Sequence, residues 1–128
     1  MRALLDTCTF IWLVEGSPAL SRAAVAAIRD PANSVLLSPI SSWEIAIKAR
    51  LGRLSPAGPV PRLVSEGMSR HGIEALPVTH AHAFAVEDLP LRHRDPFDRL
   101  LVAQCVVEGL ALISPDEAFS GYPVETLW

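Results

Sequence analysis

Four carboxylates in this chain, Asp6, Glu44, Asp98 and Asp116, occupy places from which they could act together. Asp6 closes the apolar run Ala3-Leu4-Leu5, and the other three fall among the first residues of expected helices. In a parallel α/β sheet those places lie along a single edge. Carboxylates that converge there with no cation among them repel one another unless a positive charge neutralises them. A hard divalent ion taking oxygen ligands meets that need, and it suggests phosphodiester chemistry.

Each acid also has a purely structural reading. Glu44 stands three residues after Ser41, the spacing of a capping box. Asp98 holds the same place after Asp95, with Pro96 between, and would interact favourably with a helix dipole. Asp6 suits the cap of a helix at Thr9, and Asp116, after Ser114-Pro115, suits another helix start. These readings explain the acids singly. Ser, Thr and Asn cap equally well and occur elsewhere in the chain, so capping does not explain acids at all these places together.

The elements that must position the acids follow from punctuation and periodicity. Residues 1–5 read as a buried strand, 9–14 as a brief helix stopped by Gly16, and 20–29 as an Ala-rich helix. Residues 35–37 form a second strand; residues 41–51 form the clearest helix, capped by Ser41 and followed by Gly52. A Pro/Gly turn leads to a helix at 60–71, a third strand at 73–78 and a short helix capped by Thr79. After an irregular loop at 89–95 comes a strongly apolar helix at 96–108, with Pro at its first turn and Gly109 behind it. A fourth strand at 110–113, a single turn at 115–119 and a short last strand within 122–127 complete the chain. Strands alternating with helices predict a three-layer α/β/α sandwich around a mostly parallel sheet of four or five strands. All strands then end on one edge, where open α/β sheets place their ligands.

Composition narrows the field. The chain has 128 residues, half of them apolar, with no repeat and no second domain in sight. No apolar run approaches the roughly 20 residues of a membrane span, and a charge arrives too early for a secretory signal. A net charge of −3 argues against a sequence-blind nucleic-acid coat, but not against a nuclease with its own acidic site. Cys8 and Cys105 make no C-x-x-C pair, so they read as reduced core thiols in a cytoplasmic protein without a zinc site. Lys48, Arg50 and Arg53 form one basic group and Arg92, His93 and Arg94 another, each adequately explained as a solvated face.

The segments Leu4-Leu5-Asp6-Thr7, Ser38-Pro39-Ile40-Ser41-Ser42-Trp43-Glu44-Ile45-Ala46-Ile47-Lys48, His93-Arg94-Asp95-Pro96-Phe97-Asp98-Arg99-Leu100-Leu101 and Leu112-Ile113-Ser114-Pro115-Asp116 resemble the four motif regions of PIN-domain ribonucleases. Among these the chain is most similar to VapC-type toxins of prokaryotic toxin–antitoxin modules. The similarity spans nearly the whole chain in the right order. It implies a PIN-like fold and a metal-dependent endoribonuclease, with Asp6, Glu44, Asp98 and Asp116 binding Mg²⁺ or Mn²⁺ and Ser114 supporting them. Asp95 falls in the preceding loop rather than the catalytic slot. Cys8-Thr9 and Pro115 depart from the commoner pattern, and neither change removes an acid.

The resemblance further implies an RNA substrate cut to leave a 5′ phosphate, a homodimer and a small antitoxin partner. Apolar faces bearing Phe10, Ile11 and Leu13, or Ile45, Ile47 and Leu51, would receive a partner or else serve as core. Lys48, Arg94 and Arg99, with Arg92 and His93, are candidates for RNA phosphates, while His80 and His82 read as structural. Trp12 and Trp43, at helical apolar positions, read as core rather than as base-stacking platforms. Two rivals stand beside the nuclease. One is a phosphoaspartyl phosphatase or receiver using Asp6, although the second Asp such phosphatases want two residues on is here Cys8. The other is a non-catalytic binding module whose acids are only caps.

Overall fold

The computed structural model describes every residue of the chain except His93, so the expected phosphate contact of that histidine lies outside the described residues. In chain order the elements are β1 (Arg2–Leu5), α1 (Thr7–Glu15), α2 (Arg22–Arg29), β2 (Ser34–Leu37), α3 (Pro39–Arg50), α4 (Val60–His71), β3 (Glu74–Ala75), α5 (His80–Ala85), α6 (Pro96–Glu108), β4 (Ala111–Ile113) and β5 (Thr126–Leu127). The strands line up in the order β3-β2-β1-β4-β5, and every pairing is parallel. The chain winds outward from β1 through β2 to β3, then returns to the other side of β1 for β4 and β5. The winding direction therefore reverses between β1 and β4, which is where such sheets open a crevice.

Side chains alternate across each strand and bury both faces of the sheet. Leu4, Leu36 and Leu112 face Leu101, Val102 and Cys105 of α6, with Phe119 and Tyr122. Leu5, Val35, Leu37 and Ile113 face Phe10 of α1, Ala24 and Ile28 of α2, and Ile45 of α3. That two-sided burial is why the strands read as unbroken apolar runs. The architecture is the three-layer α/β/α sandwich expected from the alternation of elements. Among the described residues, no helix is long and apolar enough to cross a membrane.

Two helix starts differ from expectation in a way that matters for the site. α1 begins at Thr7, directly after Asp6, whose side chain caps it. α3 begins at Pro39, because Ser38 Oγ accepts the Ile40 N–H at 3.1 Å and Pro suits the first helical position. Ser41 is therefore inside the helix and Glu44 in its second turn. β3 is confined to Glu74–Ala75 rather than running on through residue 78. Pro77 carries no N–H to donate to a ladder and sets an early limit.

Candidate active site

Asp6 follows β1 and Ser114 follows β4, so the two residues flank the reversal point of the sheet. The Asp6 side chain is buried and divided between two tasks. Its Oδ1 accepts the Thr9 N–H at 2.8 Å, capping α1, and its Oδ2 accepts the Ser114 hydroxyl at 2.5 Å. Ser114 Oγ in turn accepts the Asp116 N–H at 3.1 Å. Burial pushes the Asp6 carboxyl above the ordinary carboxylate range; hydrogen bonds from Ser114 and Thr9 oppose this, and the charge of Asp116 adds to it.

Glu44 does not take part in a capping box, because Ser38 rather than Ser41 caps α3. Its Oε1 instead accepts the hydroxyl of Thr7 at 2.8 Å, and Thr7 Oγ1 lies 3.0 Å from the buried Ser41 Oγ. Its Oε2 stands 3.1 Å from Lys48 Nζ, one helical turn on. Partial burial disfavours the Lys48 charge, yet the hydrogen bond and attraction of Glu44 outweigh it and hold the ammonium above its usual pKa. Lys48 is thus a cation built into the acidic edge.

Asp95 is the cap of α6: its Oδ1 accepts the N–H groups of Phe97 at 2.9 Å and Asp98 at 3.4 Å. Capping therefore accounts for Asp95, while Asp98 sits half-buried in the first turn. Asp116 is exposed, and its Oδ1 accepts the Ala118 N–H at 2.9 Å at the start of a 3₁₀ turn, Glu117–Gly121. The structural reading holds for that oxygen of Asp116.

The acids share one neighbourhood without closing around a point. The thiol of Cys8 is pushed upward first by burial and then by Asp6, Glu44 and Asp98, with Lys48 opposing them. Asp116 acts on Asp6 in the same way. Yet among the described residues no three His, Cys, Asp or Glu side chains are grouped closely enough to hold an ion by themselves. The edge offers carboxylate and hydroxyl oxygens, a hard donor set. It suits an ion such as Mg²⁺, which keeps several waters and takes only one or two carboxylates from the protein.

Several expectations need correction. Cys8 is exposed rather than core, whereas Cys105 is buried and its thiol is pushed up to about 12. Trp43 is 58% exposed, because its helical position faces out beside Glu44; Trp12 is half-buried against Trp128. Arg99 is engaged elsewhere than on a phosphate: its guanidinium donates to Pro90 O at 2.7 Å, Val86 O at 3.3 Å and Tyr122 Oη at 3.2 Å. That fastens the segment entering α6. Arg94 is exposed and Lys48 half-buried, so both stay candidates for substrate contact. Phe10 and Ile45 are core, Ile11, Leu13 and Ile47 half-buried, and Leu51 exposed. Thr7 and Ser41 were missed as site residues, although a hydroxyl residue directly after a strand-ending acid was the available signal.

The PIN domain profile matches residues 3–125 of this chain. A protein named Ribonuclease VapC16 from Mycobacterium tuberculosis is 49% identical over 57 residues, which is 44% of this chain and 40% of that protein's length. The crystal structure of VapBC2 from Rickettsia felis bound to a DNA fragment from their promoter superposes with a TM-score of 0.72 at 13% identity, covering 99% of this chain and 98% of that one. A toxin-antitoxin complex from Klebsiella pneumoniae gives a TM-score of 0.62 at 21% identity, covering 98% and 96%. These two likenesses are of fold. The profile match over nearly the whole length shows that the chain belongs to the PIN-domain family.

Proposed function

We propose that this protein is a metal-dependent endoribonuclease, the toxin of a toxin–antitoxin pair, working on RNA in the cytoplasm. The observation that carries the reading is Asp6: a buried carboxylate at the reversal point of the sheet, held by Ser114 from the neighbouring strand. The local match to a relative named a ribonuclease supports the chemistry, and the fold likeness to toxin–antitoxin complexes supports the setting.

Asp6, Glu44, Asp98 and Asp116 would hold Mg²⁺ or Mn²⁺ between them, one or two directly and the others through waters of the ion. Such an ion, when bound, lowers the pKa of water and neutralises charge developing on phosphoryl oxygens. The chain's own residues do the positioning. Ser114 orients Asp6, Thr7 orients Glu44 from one side, and Lys48 holds Glu44 from the other. Arg94, exposed at the entry to α6, would meet backbone phosphate.

The partners are a cognate antitoxin and a second copy of the chain. α1 offers the antitoxin an apolar cleft of about 290 Å³, lined by Ile11, Val14, Leu54 and Leu63. The phosphoaspartyl rival lacks support because Cys8 stands two residues after Asp6, where such phosphatases carry a second Asp. The binding-module rival fails to explain Glu44, which caps nothing. The test is cleavage of single-stranded RNA with Mg²⁺ or Mn²⁺, with chelator, and with Asp6→Asn. Wild type should cut only with metal, and the variant should lose at least about 100-fold. Equal cutting by the variant, in a preparation free of other nucleases, refutes the reading.

A further inference from the structure

Trp43 immediately precedes Glu44 on α3, and Phe97 immediately precedes Asp98 on α6. Their rings meet edge to face, with centroids 4.9 Å apart and planes at 75°. Phe97 is half-buried and packs against the core that includes α6, whereas Trp43 remains 58% exposed. One contact with Phe97 therefore fixes the indole while leaving indole surface open. An exposed ring held in one orientation presents a flat apolar face that a second ring can cover.

The charge balance indicates what the ring is for. Proteins that hold nucleic acid chiefly through phosphates carry a basic excess. This chain carries a net charge of −3, Arg99 is committed to backbone carbonyls, and Lys48 is paired with Glu44. Arg94 is left for backbone phosphate, and part of the affinity for a strand must then come from elsewhere. Stacking on an aromatic face supplies it without charge and without demanding a particular base. The Trp43–Phe97 contact joins α3 to α6 beside the turns that carry Glu44 and Asp98, so the pair borders the edge a strand would have to reach.

We propose that Trp43 is a stacking platform for an unpaired nucleobase of the RNA strand, its indole held in orientation by Phe97. This rests on the nuclease reading above. Trp43 acts on affinity, and the acids act on the bond.

The test is binding of a short fluorescein-labelled single-stranded oligoribonucleotide, followed by anisotropy in an Asp6→Asn background that leaves the strand intact. Trp43→Ala should weaken binding about tenfold or more, and Trp43→Phe less than about threefold. The salt slope should be unchanged, because no phosphate contact is lost. Against strands carrying one abasic site, the penalty of Trp43→Ala should vanish when the missing base is the stacked one. The proposal is overturned if Trp43→Ala binds as tightly as its parent, or if the abasic series shows no such position. It is equally overturned if Trp43→Ala turns a dimer into a monomer while leaving RNA affinity intact, since the ring then serves a second copy. Should the alanine variant not fold, Trp43→Phe and Trp43→Leu in the same abasic series decide. Cleavage by wild type together with unimpaired binding by Trp43→Ala removes the stacking inference alone. Absence of any metal-dependent cleavage by wild type removes the nuclease reading and the platform with it.

Discussion

Thr7 donates its hydroxyl to Glu44 at 2.8 Å, joining the first residue of α1 to the second turn of α3. The two helices follow different strands, so this bond sets the distance between the Asp6 end of β1 and the only one of the acids that caps no helix and sits in no first turn. With Lys48 on its other oxygen, Glu44 has both carboxylate oxygens engaged. A carboxylate held from two sides loses little further freedom on binding a cation.

Thr7→Val keeps the shape and removes the donor. Glu44 keeps Lys48 but is no longer anchored to α1. Supporting contacts of this kind typically carry about 10–100-fold in metal affinity or activity. Cleavage should fall by about that factor, with stability lowered by about 1 kcal/mol. Thr7→Ser should recover most of both. Urea unfolding and initial cleavage rates, measured on the same samples, check this; a valine variant cutting at the wild-type rate removes Thr7 from the site.

The buried Asp6 gives the metal-free protein a pH dependence whose sign is fixed. Burial raises the folded carboxyl above its ordinary 3.8, so the folded chain holds the proton more tightly than the unfolded chain. The stability due to this group is complete below the unfolded value and declines as pH rises through the folded one. Asp6→Asn removes the charge while Asn still caps α1. With chelator at neutral pH the variant should therefore melt at or above wild type, and the gap should close on acidification. Calorimetry across pH tests it, and a variant less stable than wild type at neutral pH would show that the acid is a structural partner first.

The fold was legible where punctuation is strong, and the site was legible as a set of positions rather than as a geometry. α6 runs from Pro96 to Glu108 as read from the chain, because Asp95-Pro96 and Gly109 fix both ends. α3 was read two residues short, because Ser38-Pro39 outcompetes Ser41 as a start; that shift alone takes Glu44 out of the capping position. Sequence neighbours on a helix differ in direction by about 100°, so Trp43 is not the core residue its helical place suggests. Trp43, next to Glu44, faces outward, while Arg99, next to Asp98, reaches the carbonyls of the preceding segment. Which hydroxyl supports which acid depends on contacts between residues 34 to 108 positions apart, and no local pattern encodes those.

Gly67 marks the closest packing of α4 on α1. A Cβ built there would stand 2.7 Å from Val14 Cγ2 and 3.0 Å from the ring of Phe10, which is fully buried. Gly67→Ala forces α4 or the Val14 and Phe10 side chains to shift, and overpacking of this sort costs about 1–3 kcal/mol despite the better helix propensity of alanine. Because Val14 also lines the cleft on α1, antitoxin binding should weaken while RNA cleavage by the free protein changes little. Chemical denaturation, antitoxin titration and cleavage assays separate these effects; an alanine variant as stable as wild type would mean the helices have room to spare.

Cys8 reports on the acidic edge without requiring catalysis. Cys105 is buried with its thiol pushed up to about 12, so alkylation of the folded protein near neutral pH reads Cys8 alone. Burial raises the Cys8 thiol first and the charge of Asp6 next, so folded protein should react more slowly than unfolded chain and accelerate as pH rises past the ordinary 9.0. Asp6→Asn removes the largest charge opposing the thiolate and should raise the rate a few-fold. A cation bound among Asp6, Glu44 and Asp98 acts on the thiol with the same sign, so saturating Mg²⁺ should speed labelling of wild type more than of the variant. Iodoacetamide labelling followed by mass spectrometry measures this, with Cys8→Ser as the blank. Rates unmoved by either change would place Cys8 beyond the field of the acids, and the shared neighbourhood on which the metal reading depends would not exist.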